Sequence, residues 1–245
     1  MNQPFTGIKM TDVEFKYSNK STLFSGFDLE VKDGAAVLLG PNGAGKSTLF
    51  SLILGIKKPS RGKVSTILND RLVDSSPEPN LVGFLPQRDI QIPSMTVLEC
   101  CVYAAWLKGN PRRTCKALAL QALERVGLTE LLSFKSHKIS GGQARRLGLA
   151  MALVGAPKFL ILDEPSSSLD PENRFILNEL IREISKDTLI LASTHMVEEI
   201  SETYDRVLVL NNGRLVHDGL TSDFTSEGSA LKKYVSLIHE NNSVF

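Results

Sequence analysis

Cysteine is scarce in this chain. Its 245 residues hold three, Cys100, Cys101 and Cys115, an odd number with no CxxC pair. That pattern excludes a disulfide framework and a thiolate zinc site, and the three read as small buried thiols. Long hydrophobic runs are also missing. Stretches such as Leu147 to Val154 reach about eight residues, against the ~20 that a membrane-spanning helix requires, so the chain is not expected to cross a bilayer. Neither sign of charge dominates: Lys and Arg number 28, Asp and Glu 27, for a formal net charge of +1. Whole-molecule attraction to nucleic acid or anionic lipid is thereby excluded, and any anion site must be local. No internal repeat or low-complexity tract is present. Met1-Asn2-Gln3-Pro4 lacks a basic segment followed by an apolar block, so no secretory signal is expected and the compartment reads as the cytoplasm. What is there, 42% hydrophobic and 22% charged residues, suits a globular chain long enough to bury a core.

Changes of periodicity organise the sequence. Val13, Phe15 and Tyr17 alternate with Glu14 and Lys16, as a half-buried strand requires, and Leu29 and Val31 alternate similarly. After the turn at Asp33-Gly34, Ala35 to Leu39 is a continuous apolar run that fits a strand buried on both faces. Ser47 to Leu54 reads as a helix stopped by Gly55. Between Gln87 and Ile139 the texture turns helical. Thr96-Val97-Leu98-Glu99 is a capping box at the head of one helix, which stops at Gly109-Asn110-Pro111, and Arg112 to Val126 forms a second. From Gly141 strands and helices alternate again. A helix runs through Leu147, Met151 and Val154. Phe159 to Leu162 is a buried strand leading into Asp163-Glu164. Glu172 to Ile184 is a helix with Phe175, Ile176, Leu180 and Ile184 at helical spacing, and Thr188 to Ala192 is a third buried strand. Val207 to Leu210 and Leu215-Val216 flank Asn211-Asn212-Gly213 as a hairpin. Ser229 to Ile238 reads as helical. The alternation predicts an α/β core with a mostly parallel sheet.

Gly40-Pro41-Asn42-Gly43-Ala44-Gly45-Lys46-Ser47 fits G-x-x-x-x-G-K-[ST], and it lies where that loop must lie, between a buried strand and a helix. Glycines let the backbone curl until successive N–H groups converge on phosphate oxygens, with the positive end of the helix behind them. Lys46 adds a full charge for the β and γ phosphates, the Ser47 hydroxyl is placed for Mg²⁺, and Thr48 adds a contact to the α phosphate. Downstream, Asp163 and Glu164 stand just past an apolar strand, where parallel sheets bind ligands. Beside a phosphate loop, Asp163 would bind Mg²⁺ through water and Glu164 would polarise the water that attacks the γ phosphorus.

The remaining motifs choose among phosphate-loop families. Ile139-Ser140-Gly141-Gly142-Gln143 resembles the LSGGQ signature of the ATP-binding-cassette (ABC) family, with Ile139 in place of the usual leucine. The likeness runs from about Ile8 to Gly219, with the motifs in the family's order. It implies a phosphate-loop NTPase core with a mostly parallel sheet, an N-terminal antiparallel β part and an inserted α-helical subdomain. The whole of 1–245 would then be one ABC ATPase domain: core at 1–87 and 139–220, helical subdomain at 88–138, and a C-terminal tail at 221–245. The resemblance implies ATP and Mg²⁺ as bound groups. It makes Tyr17 the aromatic that stacks on adenine, Gln87 the glutamine that contacts Mg²⁺ and the attacking water, and His195 the histidine that holds the γ phosphate. Ser166 to Asp170 resembles the loop that crosses to a partner subunit. Ser140, Gly141 and Gly142 at a helix N-terminus form, with Gln143, a second anion cradle. In the family the signature of one subunit closes on the nucleotide of another, so two cassettes sandwich two ATP molecules and hydrolysis reopens them.

The same resemblance implies a membrane partner. In the family the helical subdomain and glutamine loop form a groove for a short helix of a transmembrane permease, and Arg88 to Met95 and Trp106 are the candidates for that surface. The chain would sit on the inner face of the cell membrane through this permease, beside a second cassette that is a copy or a close homologue. Met95 to Glu99, Leu128 to Leu131 and His217-Asp218-Gly219 have the look of bacterial exporter cassettes for drugs, peptides or polysaccharide. An importer cassette uses the same chemistry. A soluble cassette ATPase acting on ribosomes or DNA is the other alternative, disfavoured by the balanced charge and by the lack of a second cassette or coiled-coil insertion.

Overall fold

The computed structural model describes residues 5–18, 21–200, 203–225 and 230–240. These divide into two units, Met1–Pro77 with Leu189–Phe245, and Glu78–Thr188.

The first unit opens with β1 (Phe5–Ser18) and β2 (Ser21–Val31), paired antiparallel. Val13 and Phe15 are buried and Tyr17 is exposed. The chain continues through β3 (Ala35–Leu39), α1 (Lys46–Ile53), β4 (Arg61–Leu68) and β5 (Arg71–Val73). The strand order β2-β1-β4-β5 makes the antiparallel part.

The second unit holds β6 (Val82–Leu85), α2 (Val97–Leu107), α3 (Arg112–Arg125), α4 (Gly141–Leu153), β7 (Phe159–Leu162) and α5 (Pro171–Ile184). Strands β6 and β7 run parallel, with Leu85 opposite Leu162. The Thr96 side chain accepts from Glu99 N and the Glu99 carboxylate accepts from Thr96 N, so the capping box at the head of α2 forms as its sequence predicts. Cys100, Cys101 and Cys115 are buried free thiols, and burial pushes the first two up in pKa, which keeps them unreactive.

The chain then returns to the first unit with β8 (Leu189–Thr194), β9 (Arg206–Asn211), β10 (Arg214–Leu220), α6 (Thr221–Thr225) and α7 (Ala230–Glu240). Strand β3 is buried at every residue because it lies between two parallel neighbours, β8 and β9. The β9–β10 hairpin turns at Asn212 and Gly213, as expected. The last helix covers the predicted segment from Ala230 on; Ser229 lies outside the described residues.

One expectation changes. In α5 the buried line is Leu177, Ile181 and Ile184, and Phe175 is 66% exposed. Six apolar residues between positions 175 and 184 define two overlapping stripes, and packing selects one of them. Trp106, a candidate for the partner surface, is exposed and stacks on exposed Tyr103 with centroids 6.0 Å apart.

Candidate nucleotide site

In the first unit the β3 and β8 strands are in register up to Leu39 opposite Thr194. The glycine-rich loop and His195 therefore leave the carboxyl ends of adjacent parallel strands, the position where such sheets bind ligands. Gly45, at φ 112°, is the residue before α1, and no side chain caps that helix. A left-handed glycine here swings the chain so that the open amino end of α1 faces the loop. Lys46 is buried; its ammonium donates to the carbonyls of Gly40 at 2.6 Å and Pro41 at 3.2 Å, lying across the loop. Ala44 N donates to Pro41 O, and Ala44 O accepts from Gly213 N, so the β9–β10 turn braces the loop. Asn42, Gly43 and Ser47 are exposed and Thr48 is buried.

Tyr17 is 60% exposed and is fixed from three sides. Its hydroxyl shares a 2.6 Å hydrogen bond with Thr48 Oγ1, Phe15 meets it edge-on at 5.1 Å, and the Lys57 ammonium lies 4.9 Å from its ring centroid. Past β8, Thr194 Oγ1 donates to Glu199 at 2.6 Å and accepts from Met196 N, which pins the backbone around the exposed His195.

In the second unit the ends of β6 and β7 bring another set together. Asp163 N donates to Leu85 O, and two residues past the strand ends Gln87 Nε2 donates to Glu164 Oε2 at 3.0 Å. Asp163 and Glu164 are both buried. Glu164 has a left-handed backbone, φ 46°, unusual for any residue but glycine. The signature opens α4. Ser140 is its N-cap, accepting from Gln143 N, while Gln143 Oε1 accepts from Ser140 N. Asp170 caps α5 through bonds from Asn173 N and Nδ2, which hold its carboxyl below the usual range. A Cβ at Gly142 would run into the side-chain amide of Asn173, so a larger residue here would displace that amide from its place beside Asp170. A cavity of about 580 Å³ is lined by Gln87, Asp89, Gly141, Arg145, Ser167 and Ser168, so the loops after β6 and β7 and the start of α4 share one opening.

Two residues here escaped the sequence reading. Asn173 gave no signal beyond a helix start. Arg145, buried beneath the Glu164 loop, had one: position 145 falls on the buried line of Leu149 and Ala152, where an unpaired charge does not belong.

Elsewhere in the second unit, Met95, Val102, Tyr103, Trp106 and Arg112 line a largely apolar cleft of about 660 Å³. Of the predicted partner surface, Ser94, Met95 and Trp106 line this cleft.

A family model described as ABC transporter matches residues 24–167. The uncharacterized ABC transporter ATP-binding protein YxlF of Bacillus subtilis (strain 168) is 39% identical over 182 residues, 74% of this chain and 60% of that protein. The Nod factor export ATP-binding protein I of Rhizobium etli is 34% identical, covering 91% of this chain and 71% of its own length. The methionine import ATP-binding protein MetN of Rhodopseudomonas palustris is 32% identical, covering 96% and 67%. Among solved structures, cbiO1 from Clostridium perfringens, described as part of the ABC transporter complex cbiONQ, superposes with a TM-score of 0.81 at 28% identity over 94% of each chain.

Proposed function

Because the chain belongs to the ABC transporter family of ATP-binding subunits, whose domain hydrolyses ATP, we propose that it holds ATP on the Gly40–Ser47 loop and hydrolyses it with Glu164 to drive a separate transmembrane permease. The phosphate loop carries this reading: a curled backbone ahead of an uncapped helix, with the Lys46 ammonium laid across it. Backbone donors, the dipole of α1 and Lys46 together suit a polyphosphate. Tyr17 would stack on adenine, and Thr48, tied to its hydroxyl, would couple base and phosphate positions.

Ser47, Gln87 and Asp163 offer a hydroxyl, an amide and a carboxylate, the hard oxygen donors that Mg²⁺ accepts. When bound, that ion offsets charge on the phosphoryl oxygens. Gln87 orients the Glu164 carboxylate, and Glu164 would align the attacking water. His195 would donate to the γ phosphate. Ser140 to Gln143, with Asp170, would serve nucleotide held by a second subunit, since a loop and a signature on each copy make two complete sites only in pairs.

Among the described residues no helix is long and apolar enough to cross a membrane. The permease would rest on the Met95–Trp106 cleft and hold the subunit on the inner face of the membrane. We read the direction as export, on the segments at Met95–Glu99, Leu128–Leu131 and His217–Gly219 and on the Nod-factor relative. The methionine-import relative makes import the competing direction, and identifying the membrane protein that co-purifies decides between them. The primary test is phosphate release from Mg-ATP: Lys46→Ala should lose at least about 100-fold in turnover, as removal of a charged phosphate clamp does. Unchanged turnover would reject the site.

A further inference from the structure

One heavily engaged side chain of the second unit lies outside the motifs named above. Arg145 lies in the second turn of α4, and its side chain is 3% exposed. Its Nε donates to Pro165 O at 2.6 Å. One terminal nitrogen donates to Pro86 O at 2.6 Å and Gln87 O at 3.3 Å, and the other to Asp163 O at 3.0 Å and Glu164 O at 2.9 Å. The nearest carboxylate contact is the half-exposed Asp89, at 3.5 Å. Backbone carbonyls thus take the place of water around this cation, which would otherwise be costly to bury.

Those carbonyls belong to two loops. Pro86 and Gln87 follow β6, and Asp163 to Pro165 follow β7, so one guanidinium holds the backbone at both ends of the Gln87–Glu164 hydrogen bond. Three consecutive carbonyls converging on it also fix the left-handed bend at Glu164, a conformation that persists only where its surroundings over-determine it. The planar fork is essential, because its five N–H groups point along fixed separate directions, whereas a lysine ammonium is a single point of donation. Since Arg145 stands one turn into the helix that Ser140 opens, it joins the signature rigidly to the same pair.

We propose that Arg145 is the positioning residue that sets Gln87 and Glu164 for water attack and ties them to the signature helix. This rests on the reading of Glu164 as the group that acts on water. The hydrogen bonds of Arg145 go chiefly to backbone carbonyls of the two loops, so its loss should lower kcat and leave the nucleotide-binding loop of the other unit intact.

The test compares the full chain with Arg145→Lys, Arg145→Gln and Arg145→Met. It measures kcat and KM for Mg-ATP, equilibrium binding of a fluorescent ATP analogue, and the urea midpoint. Arg145→Lys should bind nucleotide and unfold as the parent does, with KM unchanged and kcat lower by about 100-fold, the scale of about 1 Å of misplacement. A kcat equal to the parent's in Arg145→Lys would overturn the proposal. So would a parallel fall of kcat, nucleotide affinity and urea midpoint in every variant, or failure of all three to fold, because either outcome makes Arg145 a structural residue. If the parent chain itself leaves Mg-ATP intact, the ATPase reading fails and this inference with it; a hydrolysing parent beside an equally active Arg145→Lys defeats this inference alone.

Discussion

At the scale of single residues, the candidate site residues of the two units are set by different physics. The exposed Tyr17 ring is held by a hydroxyl bond, an edge contact and a cation, which fixes the orientation that the proposed adenine stacking would use. Removing the ring in Tyr17→Ala should weaken ATP binding by about 1–3 kcal/mol, the usual worth of base–aromatic stacking, with an unchanged circular-dichroism spectrum. Equal affinity in an equilibrium titration would return Tyr17 to a purely structural role. Glu164 differs, being buried and accepting from Gln87. Glu164→Gln preserves shape and an acceptor oxygen while removing the charge. We expect nucleotide binding to survive and steady-state hydrolysis to fall by about 100- to 10,000-fold, as loss of a general base does. Retention of more than a tenth of the parent rate would dismiss Glu164 from that role.

At the scale of elements, helix ends do much of the placing. Capping boxes fix the starts of α2 and α4, and Asp170 fixes that of α5. The far end of α4 is tied by a tertiary bond: Lys108, just past α2, donates to the Ala152 and Val154 carbonyls at 2.6 and 3.0 Å. Burial pulls the Lys108 ammonium down to about 8. The unfolded chain therefore binds that proton more tightly than the folded chain. The full cost of the buried charge is present below pH 8 and is relieved as pH rises from about 8 toward 10.5. Relative to Lys108→Met, the parent should gain about 1–2 kcal/mol of stability between pH 7 and 10 in urea titrations. A difference independent of pH would show that Lys108 is not carried as a buried cation. The α5 helix teaches the converse lesson, since its caps set where it starts but not which of two apolar stripes faces inward.

At the scale of the whole molecule, each chain brings one phosphate loop and one signature, and the proposed function needs a pair of chains to complete either site. With Mg-ATP, Glu164→Gln should accumulate a dimer whose fraction rises with protein concentration, visible by sedimentation velocity; a variant that binds ATP yet stays monomeric at high concentration would count against the shared site. The exposed Tyr103–Trp106 pair over its apolar cleft suits a buried anchor of the permease contact. Trp106→Glu should cut co-purification of the membrane subunit, by about 2 kcal/mol or more in affinity, while intrinsic ATP hydrolysis is retained. Undiminished co-purification would move that contact elsewhere.

The sequence by itself determined the alternation of strands and helices, the glycine-rich loop between β3 and α1, the cap of α2 and the acids after β7. Each is written in a local pattern: period, glycine placement, or side chains that satisfy a helix end. Tertiary structure alone decided the burial of Arg145 under two loops, the approach of Gly142 to Asn173, the inward stripe of α5 and the exposure of Trp106. Those depend on which distant backbone arrives alongside, and a carbonyl that receives a guanidinium leaves no mark on the residue that carries it.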